Sequence, residues 1–322
     1  MTRVNRLKPG GSDYDIGSLH EALLAWFAQH ARDLPWRRTR DPYRILVAEV
    51  MLQQTQVDRV LPKYATFLER FPTLEALAAA PAGEVIRAWA GLGYNRRAVN
   101  LQRAARAVLE EHGGVFPSEL DELRRLPGVG PYTAGALACF AFEQDVAFMD
   151  TNIRRVVRRV FASPDTELSD AWLLELAQAA LPPGRGWAWN QALMELGALV
   201  CTATAPACWR CPLRAHCRDY AARRAEDERA LEALAPDPPR SARRVAERRE
   251  EPFVGSSRWY RGRVVAALRE LPAGASLPLA ALGPRLKPDY APEDSPWLRA
   301  LAEALARDGL ITLDGEAVRL PD

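Results

Sequence analysis

The most specific chemical pattern in the chain is Cys201-x6-Cys208-x2-Cys211-x5-Cys217. Four thiolates in one short loop can surround a metal centre. That centre is either a tetrahedral zinc ion or an iron–sulfur cubane taking one cysteine per iron. A CxxC pair with flanking partners is hard to reconcile with four unrelated buried cysteines. The fifth cysteine, Cys139, stands in an apolar run and reads as a small core residue. Two carboxylates form the other candidate constellation. Glu49 lies in Arg44-Ile45-Leu46-Val47-Ala48-Glu49-Val50-Met51-Leu52. On a helix its own-face neighbours are Ile45, Leu46, Leu52 and Gln53. Desolvation there would raise its pKa and suit it to proton delivery near neutral pH. The plainer reading is a helical glutamate that snorkels to water, but Gln53-Gln54-Thr55-Gln56 argues that this helix end faces something polar. Asp150, just before Thr151-Asn152-Ile153, reads most simply as a helix N-cap.

Cleavage of a glycosidic bond wants two carboxyls, one to protonate the leaving group and one to balance an oxocarbenium charge. Glu49 and Asp150 can take those parts if the fold brings them together. A lyase working through a Schiff base would need an amine. The only lysines are Lys8, Lys63 and Lys287, and the residue after Pro131 is Tyr132, so lysine-based chemistry is not expected. Gly128-Val129-Gly130 separates two helical patterns, with Pro131 placed for a first helical turn. Such a turn leaves backbone N–H groups open to an approaching phosphate, although a lone Gly motif is weak. Trp36, Tyr43, Tyr94 and Tyr132 could stack on bases, though most aromatics serve a core.

Elements must position these residues. From 16 to 219 the pattern is helix after helix, expected over 19–30, 45–57, 61–70, 73–80, 84–90, 97–112, 134–142, 153–161, 170–180 and 191–201. No run alternates well enough to be a strand there, so the fold class is all-α. Residues 1–13 read as a polar tail and 221–250 as a charged, proline-bearing linker. A small module follows over 251–322, with helices expected at 259–271, 277–282 and 296–307. Its closing LITLDGEAVRLP reads as a hairpin about Asp314-Gly315. Three helices and a hairpin suggest a winged-helix-like module; a helical appendage packed on the main domain fits the pattern equally. At 322 residues there is room for more than one core, and a net charge of +2 is too small to imply nucleic acid without clustering. No apolar run is long enough to cross a membrane and the start lacks an apolar signal core, so a cytoplasmic protein with reduced thiols is expected.

LPGVGPYTAGA, MDTNIRRV and the cysteine loop together resemble the helix-hairpin-helix DNA glycosylase superfamily, which includes endonuclease III. LPWR (34–37), AEVMLQQTQV (48–57), GLGY (91–94) and NQALMELGALVC (190–201) look like the A/G-mismatch adenine DNA glycosylases of the MutY type. The resemblance spans roughly residues 16–220 in several separated motifs. It implies a two-lobed all-α fold holding double-stranded DNA between the lobes, with the small C-terminal module appended. It also implies a monomer with a [4Fe–4S] cluster at Cys201, Cys208, Cys211 and Cys217. Carried onto matching positions, Glu49 becomes the acid that protonates adenine and then handles water. Asp150 stabilises the sugar cation, with Tyr132 and Asn152 beside it. Gln54 and Tyr94 match the duplex wedges, which offset the cost of flipping a base out. Trp36, Arg37, Leu52, Val57 and Glu195 match the adenine pocket, and Gly128 and Gly130 the phosphate-gripping hairpin. The implied activity is a monofunctional glycosylase that removes adenine opposite guanine or 8-oxoguanine. A G·T or G·U mismatch glycosylase, or a non-catalytic DNA-binding protein, is the alternative. Two departures stand out. The family often reads GLGYY where this chain has Asn95, and 251–322 is too short and too helical for the β-rich domain that reads 8-oxoguanine in many relatives.

Overall fold

The computed structural model describes residues 15–162, 167–232 and 253–322. The expected tail, 1–13, lies outside the described residues. By contacts the chain divides into two compact units. The first holds described residues 15–42, 118–120, 130–162 and 167–232; the second holds 43–117, 121–129 and 253–322.

Several helices begin on a side-chain cap or a proline. In the first unit α1 (Ile16–His30) starts on Asp15, whose side chain accepts from the Ser18 amide, and it buries Leu19, Leu23 and Phe27 along one stripe. The second unit opens with α2 (Pro42–Leu52), buried from Ile45 through Met51, then α3 (Val57–Arg70), α4 (Leu74–Ala79), α5 (Ala82–Ala88) and α6 (Arg96–His112). Two of the boundaries that differ from expectation lie in this unit, at the end of α2 and the start of α3. The run expected as one helix over 45–57 breaks at Leu52 into a turn with Gln54 in a left-handed conformation, φ 54°. Conversely α3 runs through Pro62. Proline removes one backbone donor, while Val60, Tyr64 and Phe67 stay buried on one face and hold the helix in place.

The single-turn α7 (Leu120–Leu123) leads into the glycine turn and then α8 (Pro131–Phe140), with Pro131 at its first position. The first unit continues with α9 (Thr151–Phe161), α10 (Asp170–Ala179), α11 (Gly186–Leu199) and α12 (Arg218–Glu232). α12 carries helix into the stretch expected as a linker; the rest of that stretch, 233–250, lies outside the described residues.

The C-terminal part of the second unit runs α13 (Ser257–Arg269), β1 (Leu277–Pro278), α14 (Leu279–Leu286), α15 (Ser295–Arg307), β2 (Thr312–Asp314) and β3 (Ala317–Arg319). The strands form an antiparallel sheet in the order β1-β3-β2, with Val318 opposite both Leu277 and Leu313. Leu277 and Pro278, expected to open a helix, are instead the third strand. This module shares a core with the helices before it: Ile86 of α5 and Val99 of α6 belong to the same apolar cluster as Val264, Leu282, Leu301 and Val318. The Gly83 amide donates to the Pro321 carbonyl at 2.6 Å, and a Cβ at residue 83 would fall 2.7 Å from that oxygen.

Candidate active site and cysteine centre

In the second unit, α2 is apolar on nearly every side, and Glu49 sits within it at 3% exposure. Its terminal carbonyls would be orphaned where the helix stops at Leu52. One guanidinium takes two of them, and the Thr55 amide donates to a third, that of Leu52. Arg97 Nη1 donates to the carbonyls of Val50 (2.8 Å), Met51 (3.1 Å) and Gln53 (2.6 Å). Its Nη2 donates to Thr55 Oγ1 (3.2 Å), Leu92 O (3.0 Å) and Gly93 O (3.2 Å). Burial lowers Arg97 to about 10, which leaves it charged at neutral pH. This arginine, which no local pattern marks out, fastens together the turns carrying Gln54 and Tyr94. Both residues are exposed, Tyr94 at 44%, and both have left-handed backbones, φ 54° and φ 45°. Such a conformation is strained for a residue with a Cβ and persists where its surroundings enforce it. Leu52 and Val57 flank the turn, half-buried. Gly128 has φ 78°, and a Cβ there would stand 2.7 Å from that of Asn100, so the position admits only glycine.

In the first unit, Gly130 has an ordinary φ of −86°, and a Cβ built on it meets nothing within 4 Å. Its backbone therefore faces open space at the start of α8. Tyr132, on the first turn of α8, is half-buried, edge-on to Phe148 with centroids 5.5 Å apart. Asp150 caps α9: Oδ1 accepts from the Ile153 amide at 2.6 Å and Oδ2 from Asn152 Nδ2 at 3.0 Å. Asn152 Oδ1 in turn accepts from Arg155 Nη2 at 2.8 Å, and Arg155 also donates to the carbonyls of Gly197 (2.7 Å) and Cys201 (2.6 Å). A hydrogen-bonded chain thus joins Asp150 to the first residue of the cysteine loop. Burial pushes the Asp150 carboxyl up; the amides of Ile153 and Asn152 and the charge of Arg155 oppose it without cancelling it.

Trp36 is buried in the 3-10 turn Pro35–Arg37. Arg37 and Glu195, both expected at the base pocket, are joined to each other. Glu195 is fully buried and accepts from Arg37 Nη2 at 2.7 Å. It also accepts from the Arg32 amide, Nε and Nη2 at 2.8–3.0 Å. Arg37 further donates to Gln191 Oε1 and the Arg32 carbonyl. Burial alone would raise Glu195, but these donors outweigh it and bring the carboxyl down to about 2. A carboxylate depressed on folding contributes stability above its unfolded pKa of about 4.3, and that contribution is lost as pH falls toward about 2. Glu195→Gln is therefore expected to cost about 3 kcal/mol at pH 7, because it leaves the Arg37 charge buried without its counter-ion. Denaturant unfolding across pH 2–7 checks this: the acid loss of stability should be shallower in the variant than in the wild type.

The four loop cysteines line one small cavity of the first unit, walled by Val156, Val160, Leu196 and Val200. Arg159 donates to Cys201 Sγ at 3.4 Å and Arg223 to Cys208 Sγ at 3.5 Å. Burial, with repulsion from the neighbouring cysteines and, at Cys217, first from Asp219, pushes Cys211 to about 12 and Cys217 to about 11. Thiols so placed stay protonated unless a metal centre compensates their charge. Among the described residues no three His, Cys, Asp or Glu side chains are arranged to hold a metal ion. An iron–sulfur cubane makes a different demand, one cysteine on each iron around a larger body. Four thiols on one cavity, with arginine N–H groups aimed at two of the sulfurs, suit such a group.

Comparison with known proteins gives first the class. The model of the HhH-GPD superfamily of base excision DNA repair proteins matches residues 47–179. Among solved structures, a thermostable thymine-DNA glycosylase aligns with a TM-score of 0.61 at 32% identity, covering 64% of this chain and 97% of that one. Endonuclease III in a non-covalent DNA complex aligns with a TM-score of 0.55 at 25% identity, covering 70% and 100%. Of the curated relatives, the Mycobacterium tuberculosis adenine DNA glycosylase is 40% identical over 308 residues, 91% of this chain and 93% of that protein. The human adenine DNA glycosylase is 44% identical over 229 residues, 67% of this chain, which spans only 42% of the human protein. The Mycolicibacterium smegmatis enzyme is 48% identical over 198 residues, 61% of this chain and 67% of that protein. The chain belongs to the adenine DNA glycosylase family.

Proposed function

We propose that this chain is a monofunctional adenine DNA glycosylase of base excision repair. It hydrolyses the N-glycosidic bond of adenine mispaired with guanine or 8-oxoguanine in double-stranded DNA. The carrying observation is a carboxylate buried on an apolar helix that ends in a strained, exposed glutamine turn, in a chain 40% identical to an adenine glycosylase along 93% of that enzyme. The two carboxyls divide the work. Glu49 protonates the departing adenine and then takes a proton from the attacking water. Asp150, whose ionised form the Ile153 and Asn152 donors favour against the effect of burial, balances the positive charge on the sugar. Asn152 fixes the Asp150 carboxylate, and Tyr132 lies beside it. Gln54 and Tyr94 fill the stack that the flipped base leaves. Gly130, which faces open space, lets phosphate approach the hairpin backbone, and Gly128 supplies the left-handed turn packed on Asn100 that shapes the hairpin. Trp36, Leu52 and Val57 are assigned as apolar contacts to the base, and in the first unit the Arg37–Glu195 ion pair holds the segment that carries Trp36. The protein acts as a monomer on DNA in the cytoplasm, associated with the nucleoid if its host is bacterial. Among the described residues no helix is long and apolar enough to cross a membrane.

Measuring base release from A·8-oxoguanine, A·G, T·G and U·G duplexes tests this reading. Adenine should be released from the first two, leaving an abasic strand that stays uncut until alkali or heat is applied. Release of only thymine or uracil, or binding without release, would overturn it, and a strand trapped by borohydride would contradict the absence of lysine chemistry.

Cys201, Cys208, Cys211 and Cys217 hold a [4Fe–4S] cluster, which supplies a fixed cross-link to the loop and no step of the hydrolysis. The purified protein should be brown, absorbing near ~400 nm as such chromophores do. Cys211→Ser should lose that colour, and a colourless wild type carrying zinc would refute the assignment.

A further inference from the structure

We propose that the C-terminal module, 253–322, is a positioning element for Tyr94, acting through Arg258. This rests on the glycosylase reading above, in which Tyr94 enters the duplex. Three consecutive residues, the last two of the 91–95 turn and the first of α6, are each gripped by the module. Arg258 Nη1 donates to the Tyr94 hydroxyl at 3.0 Å, and Arg269 Nη2 donates to Asn95 Oδ1 at 2.7 Å. Arg96 pairs with Asp308 at 3.5 Å, and Asp308 is itself held by Arg261. Arg258 and Arg269 lie at opposite ends of α13, so this one helix spans the turn like a splint. Asn95, the departure from the family's usual GLGYY, is the residue that accepts Arg269.

The grip is directed at a ring that needs one. Tyr94 is exposed and left-handed, so neither burial nor backbone preference holds it. Arg97 secures the backbone beneath it and lies 5.6 Å from the ring centroid. The Arg258 guanidinium also lies 5.6 Å from that centroid, and 5.1 Å from the exposed ring of Phe253. A guanidinium against two rings, with one N–H committed to the phenol oxygen, fixes where the ring points as well as where its Cα sits. A loop wedge set in advance enters a base stack without first having to be ordered, so the module bears on the unstacking step.

A double-mutant cycle on the full chain tests this. The probe is a duplex with 2-aminopurine beside an adenine whose sugar carries a 2′-fluorine, so that unstacking is read by fluorescence without bond cleavage. Arg258→Met and Tyr94→Phe should each slow the fluorescence rise roughly 3- to 10-fold, the scale of one hydrogen bond. The double variant should be no slower than the slower single, because both remove the same contact. The melting temperature of Arg258→Met should match the wild type. Wild-type kinetics in Arg258→Met, or single effects that multiply in the double variant, would overturn the positioning role. No fluorescence change with wild-type protein would overturn the glycosylase reading and this inference together.

Discussion

Glu49→Gln is expected to lower single-turnover release of adenine by at least about a thousandfold while leaving duplex affinity within a few-fold. Proton transfer by a positioned group typically contributes 10²–10⁴-fold, and in the proposed function one residue serves both the departing base and the incoming water. The substitution is close to isosteric and removes a titratable proton from a site with almost no access to solvent. No water can readily replace it, so the loss should lie toward the upper part of that range. The helix should survive, since glutamine is as good a helix former as glutamate and α2 is anchored by its apolar surface. Rapid-quench release from an A·8-oxoguanine duplex, beside a binding isotherm at the same salt concentration, measures both halves of the expectation. A variant that retains a tenth of the wild-type rate would remove Glu49 from the chemistry.

Asp150→Asn should cost a further distinct effect, about 10²- to 10³-fold in release, with the fold intact or slightly more stable. Asparagine caps a helix as well as aspartate does, so the bond to the Ile153 amide can persist. What disappears is the negative charge facing the sugar cation, and with it the acceptor for Asn152 Nδ2, because the new amide presents a donor there. The pH signature follows from the raised carboxyl. The wild-type rate falls as pH drops through the Asp150 pKa, so its acid limb lies above the ordinary aspartate range; the variant should lack that limb. The stability sign is opposite to that of Glu195. A carboxyl raised on folding opposes folding when ionised, and this contribution grows as pH rises from its unfolded value through its folded one. Removing the charge should therefore not lower the melting temperature at pH 7, and a drop of several degrees would show that Asp150 is chiefly a structural cap.

Short motifs mark the residues to which chemistry is assigned in the proposed function, and periodicity marks the helices that carry those motifs. Glu49, Asp150, the glycine turn and the four cysteines all sit where short patterns have a physical reason to recur. What stayed hidden is long-range. Arg97 serves acceptors from residue 50 to residue 93, and nothing adjacent to it in the chain announces those partners. The pairing of Arg37 with Glu195 spans 158 residues, so two side chains that looked free to meet a base turn out to be committed to each other. β1 has two residues, one of them proline, and exists only because β3 pairs with it. The break after Leu52 was missed for another reason. Gln and Thr are acceptable helix residues, and the left-handed Gln54 depends on an arginine far along the chain rather than on any turn-forming residue of its own.

The Arg97 clasp has a consequence for how the two exposed turns fluctuate. Six acceptors on both turns and on the end of α2 converge on one planar fork; the compact ammonium of a lysine could not reach them all. Loss of that one side chain would leave acceptors on both turns without their shared donor, so the amides around residues 52–55 and 92–95 draw part of their protection from the same group. The second turn has further support, because α13 also holds Tyr94 and Asn95.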